Sequence, residues 1–146
     1  MHITSRFRAL ALALGLTGAL CIASAAGPAK LVIDSPRDGG TVQLTPGLGP
    51  VAIIKFHAEN FKIENLAGHD AMHHEGAMAG MGDNAGHVHV TLDDNSWYWV
   101  HSNSDPVVIA GLSAGSHKVS LELVGAGHKP LNPPTKQTVS FSMAGQ

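Results

Sequence analysis

Gly86-His87-Val88-His89-Val90-Thr91-Leu92 runs through Asp93-Asp94-Asn95-Ser96 into Trp97-Tyr98-Trp99-Val100, and this stretch decides how the chain reads. Val88, Val90 and Leu92 recur with period 2, as the apolar face of a half-buried strand does, while His87, His89 and Thr91 take the opposite face. The four polar residues that follow are turn formers, and the aromatic run after them reads as a return strand. Working outward, Leu31-Val32-Ile33 is a short strand stopped by Asp34-Ser35-Pro36 and the Asp38-Gly39-Gly40 turn. Thr41 to Leu44 is a second, and Val51 to Asn60 a third, with Ala52, Ile54, Phe56 and Ala58 on its core face. Pro106 to Ala110 is β-branched. His117, Val119, Leu121 and Leu123 share a face, and Val139, Phe141 and Met143 close the domain after a Gly/Pro loop over 125–134. Seven or eight short strands separated by regular turn signals predict an all-β sandwich.

Composition narrows the function. The 146 residues match the length of one domain, and the sequence holds ten His, seventeen Gly, eight Pro and a single Cys. At 44% hydrophobic, 14% charged and a formal net charge of −2, it is too apolar for a disordered chain. It is also too neutral to bind nucleic acid by neutralising phosphates. Residues 1–25 read as an export signal: Arg6 and Arg8, an apolar run from Ala9 to Ile22, then Ala23-Ser24-Ala25 at a peptidase site. That run is shorter than the roughly 20 residues a membrane-spanning helix needs. The expected product is one periplasmic or secreted domain, residues 26–146, with no membrane span. Cys21 leaves with the signal, so any metal must be held by His, Met and carboxylates.

One stretch breaks the strand pattern. Glu64 to Gly86 has little periodicity and is rich in Gly, Ala, His and Met, and loops of that length in compact domains are functional or disordered. It carries His69, Met72, His73, His74, Met78 and Met81. Thioether sulfur is soft and favours Cu(I), while imidazole suits Cu, Zn and Ni. The H-x-H pair His87 and His89 follows directly, with Cα atoms about 6–7 Å apart on one strand face, a separation that suits two ligands of one ion. His128, before Lys129-Pro130 in a Gly-rich loop, reads as exposed and free to bind. The candidate ligands are therefore His69, Met72, His73, His74, Met78, Met81, His87, His89 and His128. His117 reads instead as a structural histidine bonded to a loop, and His57 and His101 as surface residues. No nucleophile elbow, H-E-x-x-H or phosphate loop is present, which argues against an enzyme.

Four motifs occur in order: Ser35-Pro36-Arg37-Asp38-Gly39-Gly40, Gly86-His87-Val88-His89-Val90 leading to Asp93, Leu112 to Val119, and Gly127-His128-Lys129-Pro130. In these the chain resembles an uncharacterised family of small exported bacterial proteins, a resemblance that implies an immunoglobulin-like sandwich and no activity. It is more loosely similar to the CopC type of periplasmic copper-resistance sandwich. Ser35 to Gly39 matches the start of that pattern, His117 stands where Tyr is usual, and Ala126-Gly127-His128 lacks its Asp. Of the copper ligands that resemblance implies, only His128 carries over. The expected function is an exported metal-binding protein, with copper favoured over zinc. The alternative is a non-catalytic module that contacts another envelope protein through Trp97, Trp99 and a strand face, its histidines structural.

Overall fold

A computed structural model describes residues 27–44, 47, 49–64, 84–96 and 98–145. Residues 1–26, which include the expected export signal, and the His/Met-rich residues 65–83 lie outside them. Among the described residues the chain is all-β, with nine strands: β1 (Lys30–Ser35), β2 (Gly40–Val42), β3 (Val51–Glu59), β4 (Lys62–Ile63), β5 (Ala85–Leu92), β6 (Trp99–His101), β7 (Val107–Ala110), β8 (Gly115–Gly125) and β9 (Pro130–Met143). One sheet has the order β1-β3-β7. The other runs β2-β9-β8-β5-β4, with β6 also paired to β5. No helix among the described residues is long and apolar enough to cross a membrane.

The alternation read from the sequence sets which residues meet between the sheets. On β3, Ala52, Ile54 and Phe56 are buried while Ile53, Lys55 and His57 are exposed. Val88 and Val90 of β5 stand opposite Leu123 and Leu121 of β8, and Val119 stands opposite Val139 of β9. These residues form one core with Leu31, Val107, Ile109, Phe141 and Met143. Burying an aliphatic side chain of this size contributes about 1.5–3 kcal/mol. A one-residue slip of any strand would exchange its core set for its outward set.

Three expectations need correction. The strand count exceeds the seven or eight expected. The Gly/Pro loop assigned to 125–134 is shorter, because β9 begins at Pro130 and pairs with Val124 there. The unpatterned stretch from Glu64 to Gly86 is shorter too: Ala85 and Gly86 belong to β5 and pair in parallel with Lys62 and Ile63. Two-residue β4 has too little sequence to display a period, and prolines at the β9 edge hid a strand start.

His117 ties one end of the sandwich together. Asp93 and Asp94 adopt left-handed conformations, and Asn95 N–H donates to the Leu92 carbonyl at 3.0 Å, closing a tight turn after β5. From that turn Asp93 accepts the Lys118 amide at 2.8 Å and stands 2.8 Å from His117 Nδ1, while His117 Nε2 meets the Ser113 carbonyl at 2.9 Å. Carbonyl and carboxylate oxygens only accept, so both ring contacts hold at once only in the doubly protonated imidazolium. Burial pulls the His117 pKa down, but the Asp93 bond, the Ser113 carbonyl and the Asp93 charge leave it raised. Burial pushes Asp93 up, but His117 and the Lys118 amide leave it lowered.

The signs of these shifts fix the pH dependence. The His117 contribution to stability is complete below its unfolded pKa of 6.5 and is lost as pH rises through the higher folded value. The Asp93 contribution is complete above its unfolded 3.8 and is lost as pH falls through the lower folded value. Urea denaturation across the pH scale is therefore expected to show the pair's stabilisation greatest between those two unfolded values. His117→Gln should flatten the alkaline limb above 6.5. Asp93→Ala, which strands a buried ring, should cost about 2 kcal/mol.

Candidate metal centre

β5 is buried on both faces. Its inward residues, Val88 and Val90, have no exposed surface, which fixes the outward direction of His87 and His89 between and beside them. A polar outer face would leave those rings in water, yet His87 is 2% and His89 6% exposed. Across β8 they stand opposite Val124 and Glu122. Val124 is fully buried although it lies outside the main core cluster, so the outer face carries its own covered patch.

Three elements converge on that patch. The β8–β9 turn brings His128, with Gly125 N–H donating to the Lys129 carbonyl at 2.9 Å and His128 N–H to the Gly125 carbonyl at 2.8 Å. His128 Nδ1 lies 3.2 Å from His89 Nε2. The His128 ring centroid is 5.1 Å from that of His87 and 5.5 Å from that of His89. Just before β6, Tyr98 stacks on His89 with centroids 3.7 Å apart and planes at 19°. From the end of β4, the Glu64 carbonyl stands 3.3 Å from His87 Nδ1.

That carbonyl settles the tautomer of His87. It can only accept, so Nδ1 carries the proton and the lone pair lies on Nε2. His87 Nε2 is buried and has no hydrogen-bond partner among the described residues. Orientation of a histidine by a backbone carbonyl at one nitrogen, leaving the other bare, is the outer-shell arrangement of metal-binding imidazoles. Burial is the main cause that lowers the pKa of both His87 and His89, with the charge of His128 adding to it, so both rings are held neutral. Neutral imidazole is the ligand form.

Among the described residues no group of three or more His, Cys, Asp or Glu side chains is already drawn together as a cage for an ion. The geometry shows why. His89 and His128 share a proton along their 3.2 Å contact. Two nitrogens bound to one metal at about 2.0–2.1 Å stand roughly 3.3–3.5 Å apart for tetrahedral to trigonal angles, so an ion could replace that proton with little movement. The donor ring would then carry its proton on the other nitrogen.

Of the nine candidate ligands, His87, His89 and His128 therefore meet on one face, with His128 exposed at the rim. His69, Met72, His73, His74, Met78 and Met81 lie outside the described residues. A cleft of about 440 Å³ on the flank of the β8–β9 turn, lined by Ala85, Lys129 and Leu131 among others, includes none of the three rings. Sequence reasoning missed Tyr98, whose period-2 phase with Val100 puts it on the His89 face, since Val100 stands opposite His89. It also placed His101 at the surface. His101 is half-buried and meets Phe56 edge-on at 5.7 Å, because it shares the inward phase of Trp99, which packs on the core.

Fold and site together define a two-sheet β-protein that gathers neutral imidazoles on the covered outer face of its larger sheet. The chain belongs to DUF6130, a family of unknown function whose model matches residues 13–146. No curated protein and no solved structure matches it.

Gly86 makes this convergence possible. A Cβ there would lie 2.0 Å from the Val124 carbonyl oxygen and 2.7 Å from Gly125 C, both backbone atoms that cannot swing aside. Gly86→Ala is expected to lower stability by about 3 kcal/mol or to prevent folding, since it must pry β5 from the β8–β9 turn. Gly127→Ala, whose Cβ meets nothing within 4 Å, should fold as the parent does. Paired urea denaturation curves would check both.

Proposed function

We propose that the protein is an exported, non-catalytic metal-binding sandwich of immunoglobulin-like type, working in the periplasm or outside the cell. His87, His89 and His128 supply its ligands, copper is favoured and zinc is second, and the His/Met segment 69–81 adds donors. The observation that carries this reading is the buried, partnerless Nε2 of His87, on the face where His89 and His128 meet. An unsatisfied buried acceptor costs about 1–3 kcal/mol, and an ion bound there would remove that cost. The donor set favours late first-row metals, because imidazole suits Cu, Zn and Ni and no hard oxygen cage surrounds it among the described residues. Trp99 packs on the core, which takes one of the two tryptophans away from the alternative of a partner-docking module.

Metal titration of the purified chain, followed by mass spectrometry and thermal melting, tests the reading. One copper or zinc ion per chain should bind and raise the melting temperature, because a ligand that binds only the native state stabilises it by mass action. His87→Ala with His89→Ala should remove the bound ion and the thermal shift. An unchanged titration in the double variant would overturn the assignment.

A further inference from the structure

The charges around the histidines differ sharply from site to site, and that contrast identifies the ion. His117 is joined to Asp93 at 2.8 Å and His57 to Asp34 at 2.9 Å, so each of those rings has a carboxylate ready for its positive charge. Among the described residues His87, His89 and His128 have none: their hydrogen bonds run to a backbone carbonyl and to one another. Glu64 is ion-paired with Lys62 at 2.8 Å, and Glu122, opposite His89 on β8, makes no ion pair with any of the three rings. Tyr98 closes the face of His89 with an apolar ring.

We infer that the three-imidazole cluster binds copper as the cuprous ion, Cu(I), in preference to Cu(II) or Zn(II). This rests on the metal-binding reading above and deepens it. The cost of holding a charge away from water rises with the square of that charge, so a dication in this covered patch costs about four times what a monocation does. Imidazole ligands with no carboxylate bonded to them among the described residues leave that difference standing. Coordination number acts in the same direction. Zn(II) in closed sites takes four ligands, and Cu(II) prefers a tetragonal set. Cu(I), with a filled d shell and a single charge, is satisfied by two or three nitrogens. His89 Nε2 and His128 Nδ1, 3.2 Å apart, supply two, and His87, whose ring centroid lies 5.1 Å from that of His128, is the third imidazole of the patch.

The test uses the full chain with Cys21 replaced by Ser, Met72, Met78 and Met81 by Leu, and His69, His73 and His74 by Asn, so that the thiol and the donors of the 69–81 segment make no contribution. Cu(I) is supplied anaerobically and titrated against a chromogenic Cu(I) chelator, while Cu(II) and Zn(II) are titrated against their own competitors. The expected result is one Cu(I) per chain, bound at least roughly 100-fold more tightly than either divalent ion, which for copper corresponds to a reduction potential raised by about 120 mV. Equal or tighter binding of Cu(II) or Zn(II), lost with His87→Ala and His89→Ala, would overturn the cuprous assignment and leave the metal site standing. No binding of any of the three ions would overturn both.

Discussion

The burial of β5 on both faces is the constraint from which the remaining geometry follows. Val88 and Val90 are locked between the sheets with no exposed surface, opposite Leu123 and Leu121. Because side chains alternate strictly along a strand, that locking leaves His87 and His89 a single direction. Shifting β5 by one residue would bring two imidazoles into an aliphatic core and push two valines out, a double loss that holds the register. The hydrophobic effect thus positions polar side chains it never touches. Pairing then completes the placement: β8 carries the turn with His128, β6 follows Tyr98, and β4 ends at the Glu64 carbonyl. Each neighbour of β5 delivers one partner of the cluster.

The fold uses imidazole in two chemically opposite ways. His117 faces a carboxylate and a carbonyl and is held as a cation that ties the β5–β6 turn to β8. His87 and His89 are held neutral chiefly by burial. Since all three rings are well covered, burial alone does not decide the outcome. The deciding factor is whether an acceptor with negative charge lies within hydrogen-bond distance, as general electrostatics requires. The first arrangement serves structure and leaves no lone pair free. The second leaves the lone pair of His87 Nε2 without a partner among the described residues, the feature on which the metal-binding proposal rests.

Most of the architecture was legible because its core residues alternate over long runs. Ala52, Ile54 and Phe56, the Val88–Leu92 set and the His117–Leu123 set each read correctly as inward faces. The elements that escaped were those whose identity depends on neighbours rather than on their own sequence. β4 exists because Lys62 and Ile63 pair with the start of β5, and β9 begins early because Pro130 finds Val124 across the turn. For the site, period 2 put His87 and His89 on one face, but period says nothing about what covers a face. Tyr98, the Glu64 carbonyl and the β8–β9 turn reach the patch from sequence positions 9 to 41 residues away from His87 and His89, distances that no local pattern spans. His101 was misplaced for a simpler reason: its phase follows Trp99, and that register is visible only once β6 is paired to β5.

The backbone of the turn adds a last step. His128 adopts φ of 58°, in the left-handed region, and Gly127 stands directly before it. A side chain there costs about 1 kcal/mol or more relative to glycine, although histidine tolerates the region better than β-branched residues do. The turn's own hydrogen bonds, from Gly125 to Lys129 and from His128 to Gly125, run through backbone atoms and would form with glycine at the position. Nothing in the turn's closure therefore needs an imidazole. What the ring does gain there is its contact with His89 and its approach to His87, on a face where one nitrogen is already without a partner. A strained position whose side chain meets His89 and approaches His87 supports the metal-binding proposal.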